Sequence, residues 1–184
     1  MTRAALTFLL VAAVAPHGAA PAAELTPASR ELRADLRTVE RSIDRSFGDT
    51  RMVLIGSTRG GYLQGFGAVF TLEVNVVPMA NVSPFKPSYT EQELRQLNQR
   101  KRGRIPELEE LAAGILVTEA GKLGAIPEGE NIALIISLFH FTWEYAGDLP
   151  AQVVIQAPRR TLLDRQADRI NEQELTKRLM VRRF

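Results

Sequence analysis

Residues 51–78, RMVLIGSTRGGYLQGFGAVFTLEVNVVP, decide the fold. From Gly65 to Val77 the chain alternates. Phe66, Ala68, Phe70, Leu72, Val74 and Val76 fall on one side, and Gly67, Val69, Thr71, Glu73, Asn75 and Val77 on the other. Successive strand side chains point to opposite faces, so this is a strand with one greasy and one mixed face, the pattern of an antiparallel strand laid on a core. Residues 52–55 form a shorter apolar run, and Gly60, Gly61 and Gly65 between the two runs permit the positive φ of a turn. Gly67, inside the second strand, predicts a bulge or a close backbone approach.

Downstream, residues 131–145, NIALIISLFHFTWEY, are the most apolar run after the first twenty residues and predict a central strand. Its end is two-sided, with Phe139, Phe141, Trp143 and Tyr145 on one face and His140, Thr142 and Glu144 on the other. Gly147-Asp148 and Pro150 make a turn, and residues 151–157 a short strand with Gln152 and Gln156 on its wetter face. Around these strands lie helical patterns. Thr26-Pro27 opens the first helix, with Leu32, Leu36, Val39, Ile43 and Phe47 as its apolar face and Gly48 as its end. Three prolines make residues 78–89 an extended crossover. Thr90 and Glu93 form a capping box for a second helix, which runs through Leu94 and Leu97 into a basic cluster at 99–104.

Pro106 opens a third helix on Leu108, Leu111, Ala112, Ile115 and Leu116; its stripe should reach solvent at Glu119. Pro158 starts a fourth helix through Leu162 and Leu163. Asn171 and Glu174 cap a last one containing Leu175 and Leu179, and the tail 182–184 should fray. The predicted fold is α+β: one antiparallel sheet of about four strands with helices packed on one face. Residues 52–57, MVLIGS, echo residues 132–137, IALIIS, so a duplicated αββ unit is one reading of the order.

The 184 residues are 45% hydrophobic and 24% charged, which suits one domain with a real core. Arg3, the apolar run 4–14 and Ala20-Pro21-Ala22 read as a secretory signal, residues 1–22, cleaved near Ala22; the domain is then 23–184. The run is short for a membrane anchor. That places the protein in the periplasm or outside the cell. There is no cysteine, which removes lipoprotein anchoring, disulfides and thiolate metal sites. A formal charge of +2, about +1 once Arg3 leaves with the signal, gives no strong field for steering nucleic acid, although the pI is about 9.2.

Among constellations that could carry chemistry, His140, Thr142 and Glu144 come first, because strand positions two apart share a face. A histidine and a carboxylate can make a proton-transfer pair or half of a zinc site. The only other histidine, His17, lies in the signal, so no metal site and no cofactor is assigned. The segment 56–61, GSTRGG, lacks the Gly-Lys-Ser/Thr ending of a phosphate loop, and Gly65-Phe66-Gly67 opens no helix. No Gly-x-Ser-x-Gly elbow is present; Ser57 and Ser137 have no base nearby in sequence, and nothing singles out a Ser-Lys pair through Lys86 or Lys122. The aromatic row is a groove for a peptide or apolar ligand, or the place where helices pack. Arg33, Arg37, Arg41 and Arg45 recur every four residues; they form an anion or lipid-headgroup stripe, or a solvated face in which Glu40 and Asp44 pair with Arg37 and Arg41. Trp143, Tyr145, Arg37 and Arg41 are the candidate binding surface.

Taken together, Gly65-Phe66-Gly67-Ala68-Val69-Phe70, Ser83-Pro84-Phe85, Leu138-Phe139 with Trp143-Glu144, and Gln156-Ala157-x-Arg159-x-x-Leu162-Leu163 make the chain similar to a group of uncharacterised exported bacterial proteins. The resemblance implies a bacterial, exported, single-domain protein and carries over no functional residue. The expected role is non-enzymatic binding of another envelope protein or an envelope component, with membrane-surface contact as one form of it. An envelope hydrolase using His140 and Glu144, or a carrier of a small apolar ligand, are the alternatives.

Overall fold

The computed structural model describes residues 27–78, 89–144 and 147–184. Residues 1–22, expected to be a signal, lie outside the described residues, as do Thr26, most of the 78–89 crossover and Tyr145. Helix α1 (Pro27–Gly48) leads into strands β1 (Val53–Leu63) and β2 (Gly67–Asn75). Helix α2 (Glu91–Glu119) and a short 3-10 turn (Ala120–Lys122) follow. Then come β3 (Asn131–Leu138), β4 (Gln152–Pro158), α3 (Arg159–Gln166), α4 (Glu172–Arg178) and β5 (Met180–Arg183). The fold is α+β, with one open, mixed sheet of five strands in the order β1-β2-β3-β4-β5.

The alternation in β2 acts as its residues dictate: Ala68, Phe70, Leu72 and Val74 are buried, while Thr71 and Glu73 are exposed. Ile132, Leu134, Ile136 and Leu138 of β3 and Val153, Ile155 and Ala157 of β4 continue that buried face. Leu36, Val39, Ile43 and Phe47 of α1, and Leu108, Ala112, Ile115 and Leu116 of α2, belong to the same core.

The sheet is not purely antiparallel. β1/β2, β3/β4 and β4/β5 are antiparallel, but β2 and β3 run parallel, with Phe70 opposite Leu134. The cause is the connection: a helix crossover returns the chain to the end where it began, so the strands on either side of α2 point the same way. At their start the two strands meet closely. Gly67 has φ 125°, and a Cβ there would lie 2.0 Å from the Asn131 carbonyl oxygen, so the close approach read from the sequence is real. Gly60 and Gly61 lie within β1 instead of in the turn, which occupies residues 64–66 with Gly65 at φ 79°.

Four other elements differ from expectation. First, the second and third predicted helices are one. The Thr90–Glu93 capping box starts α2, and Pro106 sits inside it. Leu97, Lys101, Ile105, Leu108 and Ala112 are buried at spacings of three and four, so one stripe runs through the proline. Burial on both sides of Pro106 outweighs the lost N–H there. Second, the central strand ends at Leu138, not Tyr145; residues 139–144 turn away. Third, the tail does not fray. β5 pairs with β4, so that backbone groups on the outer side of β4 find partners. Arg183 grips Glu109 of α2 through two bonds of 2.6 and 2.8 Å. Fourth, Glu119 does not reach solvent but is buried.

Candidate functional site

The residues that follow β3 gather the chemistry. Phe139 N–H donates to the Val74 carbonyl (2.9 Å), which holds the first loop residue to the sheet. The loop then turns, and Glu144 N–H donates to the Phe141 carbonyl (3.0 Å). Because the backbone turns, alternation no longer places His140, Thr142 and Glu144 together. Thr142 is exposed and takes no part, whereas His140 and Glu144 come together, with their nearest atoms Nδ1 and Oε2 3.6 Å apart.

Between them stands Lys101, which reaches in from the buried stripe of α2. Its side chain is 2% exposed and that of Glu144 5%. The ammonium donates to Glu144 Oε2 and to the Phe139 carbonyl (3.0 Å), and lies 3.4 Å from His140 Nδ1. An ammonium has only donors, so the nitrogen facing it acts as acceptor and a neutral His140 carries its proton on Nε2. That nitrogen is buried and has no partner among the described residues. The second carboxylate oxygen, Oε1, accepts from the Phe141 N–H (3.2 Å). Both oxygens of Glu144 are therefore engaged, one by the lysine and one by its own loop. A general base must reach the proton it takes; this carboxylate is 5% exposed, and it clasps the loop to α2.

The aromatic row is real but folded on itself. Trp143 stacks on Phe141 (centroids 5.0 Å, 11°) on one side and on Tyr89 (4.5 Å, 15°) on the other. Phe139 meets Phe141 edge-on at 4.8 Å. Both faces of Trp143 are covered, so it cannot also sandwich a flat ligand; an apolar pocket of the kind expected from a one-faced strand is not what these rings form.

On α1 the arginines stand apart from the acids meant to pair with them. Glu40 Oε1 accepts from Gly60 N–H (2.7 Å) and Asp44 Oδ1 from Thr58 N–H (2.9 Å). These are backbone donors of β1, the edge strand, whose unpaired groups need partners. Gly60 permits the approach: a Cβ there would lie 2.7 Å from the Phe70 ring and 3.3 Å from Glu40 Oε1. Arg33, Arg37, Arg41 and Arg45 remain exposed, and the expected pairs with Arg37 and Arg41 do not form among the described residues.

A second cluster escaped the sequence. Ser42 Oγ donates to Glu119 Oε1 (2.9 Å), and Lys122 Nζ donates both to that oxygen (2.8 Å) and to Ser42 Oγ (3.0 Å). A Ser-Lys nucleophile needs a neutral amine to take the hydroxyl proton. Here the Ser42 hydroxyl donates to Glu119 and accepts from Lys122, the reverse of the polarity a lysine base needs, so the trio stitches α1 to the end of α2. The helical phases of Ser42 and Glu119, each beside an apolar stripe, were the available clue; which partner each would meet was not.

Among the described residues no group of three or more His, Cys, Asp or Glu side chains is arranged to hold a metal, and no helix is long and apolar enough to cross a membrane. No protein-family model, no curated protein and no solved structure matches the chain.

Proposed function

We propose that this is an exported, non-enzymatic binding protein of the bacterial envelope, periplasmic or secreted, that acts on a partner protein or an envelope component. The export half of the reading is supported by the signal-like pattern of residues 1–22, and the bacterial half by the resemblance of the strand motif at 65–70. The observation that carries the non-enzymatic half is the double engagement of Glu144. Its oxygens accept from Lys101 and from the Phe141 N–H in a side chain only 5% exposed, which supports a fastening over a general base.

Two experiments test this. Capture of the tagged mature protein from its own envelope fraction should enrich a defined component over an unrelated tagged control; no enrichment argues against a binding role. For the hydrolase alternative, His140→Ala is the discriminating variant, because it removes the imidazole and leaves the Lys101–Glu144 pair in place. An unchanged phenotype with intact folding eliminates catalysis through His140, while a null phenotype in a fully folded variant would revive it. Glu144→Gln is less informative, since it also strips a buried lysine of its counter-ion.

A further inference from the structure

The seam between α1 and β1 holds a depression of about 520 Å³ whose rim carries Arg33, Arg37 and Arg59, with Glu40 and Gly60 also lining it. All three arginines are exposed, and none of them has a carboxylate partner among the described residues. The carboxylate best placed to neutralise them, Glu40, is turned onto the Gly60 N–H. Three guanidinium groups thus face one carboxylate. Arg41 and Arg45 extend the positive charge along the helix, and Arg33 to Arg45 spans about 18 Å at the helical rise.

We propose that this cradle seats the phosphoryl group of an anionic lipid headgroup, with Arg41 and Arg45 lying along the surrounding membrane surface. The inference rests on the envelope reading and names the component. Guanidinium groups suit phosphate because their planar donors meet two oxygens at once. A membrane fits better than an acidic protein because of what the stripe lacks. Protein interfaces are built around buried aromatic or aliphatic anchors. The exposed large hydrophobic residues, Val53, Ile55 and Leu63 of β1 and Met180, Val181 and Phe184 at the C-terminal end, do not line the depression. The apolar face of α1 is packed in the core, so contact is by adsorption and not by insertion.

The test is sedimentation of the mature protein with vesicles of phosphatidylcholine alone and of phosphatidylcholine mixed with phosphatidylglycerol. Binding should favour the anionic vesicles, weaken with added salt, and fall roughly five-fold for each of Arg33→Gln, Arg37→Gln and Arg59→Gln. The triple variant should lose roughly a hundred-fold, keeping only what Arg41 and Arg45 contribute. These side chains are exposed, so thermal midpoints should stay at the wild-type value and show that folding is intact. Equal binding to both vesicles, or anionic binding untouched by the triple variant, overturns the proposal. Saturable binding of inorganic phosphate without vesicle preference also overturns it and assigns the cradle to a soluble phosphorylated ligand; stoichiometric capture of an acidic peptide in place of vesicles assigns it to a protein. None of these results depends on export. A protein that captures an envelope partner yet ignores lipid loses this inference and keeps the binding reading.

Discussion

Lys101→Met should be among the most damaging single changes outside the apolar core. The lysine is 2% exposed and has three neighbours with lone pairs: Glu144 Oε2, the Phe139 carbonyl at 3.0 Å and His140 Nδ1 at 3.4 Å. Methionine fills much the same volume, so the packing of Leu97 and Ile105 around it survives. What is lost is the positive charge, which leaves a carboxylate at 5% exposure with one backbone donor from Phe141. Breaking a buried ion pair by removing one member costs about 3–5 kcal/mol. With a urea m-value of about 2 kcal/mol/M for a chain of this size, the unfolding midpoint should fall by about 1.5–2.5 M. The double variant Lys101→Met/Glu144→Leu removes both charges and should recover most of that loss, because an apolar pair of similar size avoids the desolvation cost. Urea unfolding followed by far-UV circular dichroism measures all three. A single variant within about 1 kcal/mol of wild type, or a double variant that loses the sum of its parts, would show that the pair is not a buried clasp.

Three further outcomes follow from the backbone and from one phenol. Gly67→Ala places a Cβ 2.0 Å from the Asn131 carbonyl at φ 125°, so the β2/β3 junction must open; a loss of about 3 kcal/mol or more in the same assay is expected, and a neutral result would contradict the close approach. Pro106→Ala returns an N–H to the middle of α2 and should stabilise by about 2 kcal/mol, after allowing for the stiffer unfolded chain that proline confers; destabilisation would mean the ring itself packs. Tyr62 is half-buried and donates to Glu130 Oε1 at 3.2 Å, and burial first, then that carboxylate, hold its phenol above the ordinary value. A folded-state pKa above the unfolded one favours the folded protein until the unfolded phenol ionises, so this contribution is full below about pH 10 and drains away as pH climbs through the folded pKa. Thermal midpoints taken across the alkaline range should fall more steeply for wild type than for Tyr62→Phe; parallel curves would remove Tyr62 from the account.

The parts of the fold legible in the sequence were those set by neighbours along the chain. The alternation of β2, the apolar stripe of α1, the Thr90–Glu93 capping box and the Asn171 cap each need only a few consecutive residues, and each is present. What the sequence left open was decided at a distance. A proline looks like a helix start until both flanks are seen to bury one continuous stripe, as Leu97–Ile105 and Leu108–Ala112 do. The strand run 131–145 looks uniform because Phe139, Phe141 and Trp143 are β-type residues, yet they pack on one another and on Tyr89. Lys101 carried a signal, since it falls on the line Leu97–Lys101–Ile105. A lysine there reads equally well as a stem lying on the core with its head in water. Only the loop after β3, 43 positions further on, brings Glu144 within reach and makes the lysine a buried ion.

The direction in which α1 turns its acids links edge protection to charge display, and one substitution separates the two. Glu40 and Asp44 bond to the outward N–H groups of β1 and so hide an edge that could otherwise template another strand. By doing so they leave the arginine row without its local counter-ions, on a chain whose formal charge is only +2. Glu40→Gln keeps an oxygen that can accept from Gly60 N–H but removes the carboxylate charge from the cradle. If the geometry is as described, stability should change by about 1 kcal/mol or less, because the hydrogen bond survives in its neutral form. Binding to vesicles containing phosphatidylglycerol should then rise roughly five-fold, the effect of one elementary charge near such a surface. Glu40→Ala, which deletes the acceptor as well, should raise binding similarly but cost about 1–2 kcal/mol, since a half-buried backbone donor loses its partner. A glutamine variant that binds vesicles no better than wild type would mean that Glu40 does not set the potential of the cradle, and that the arginines display their charge for another reason.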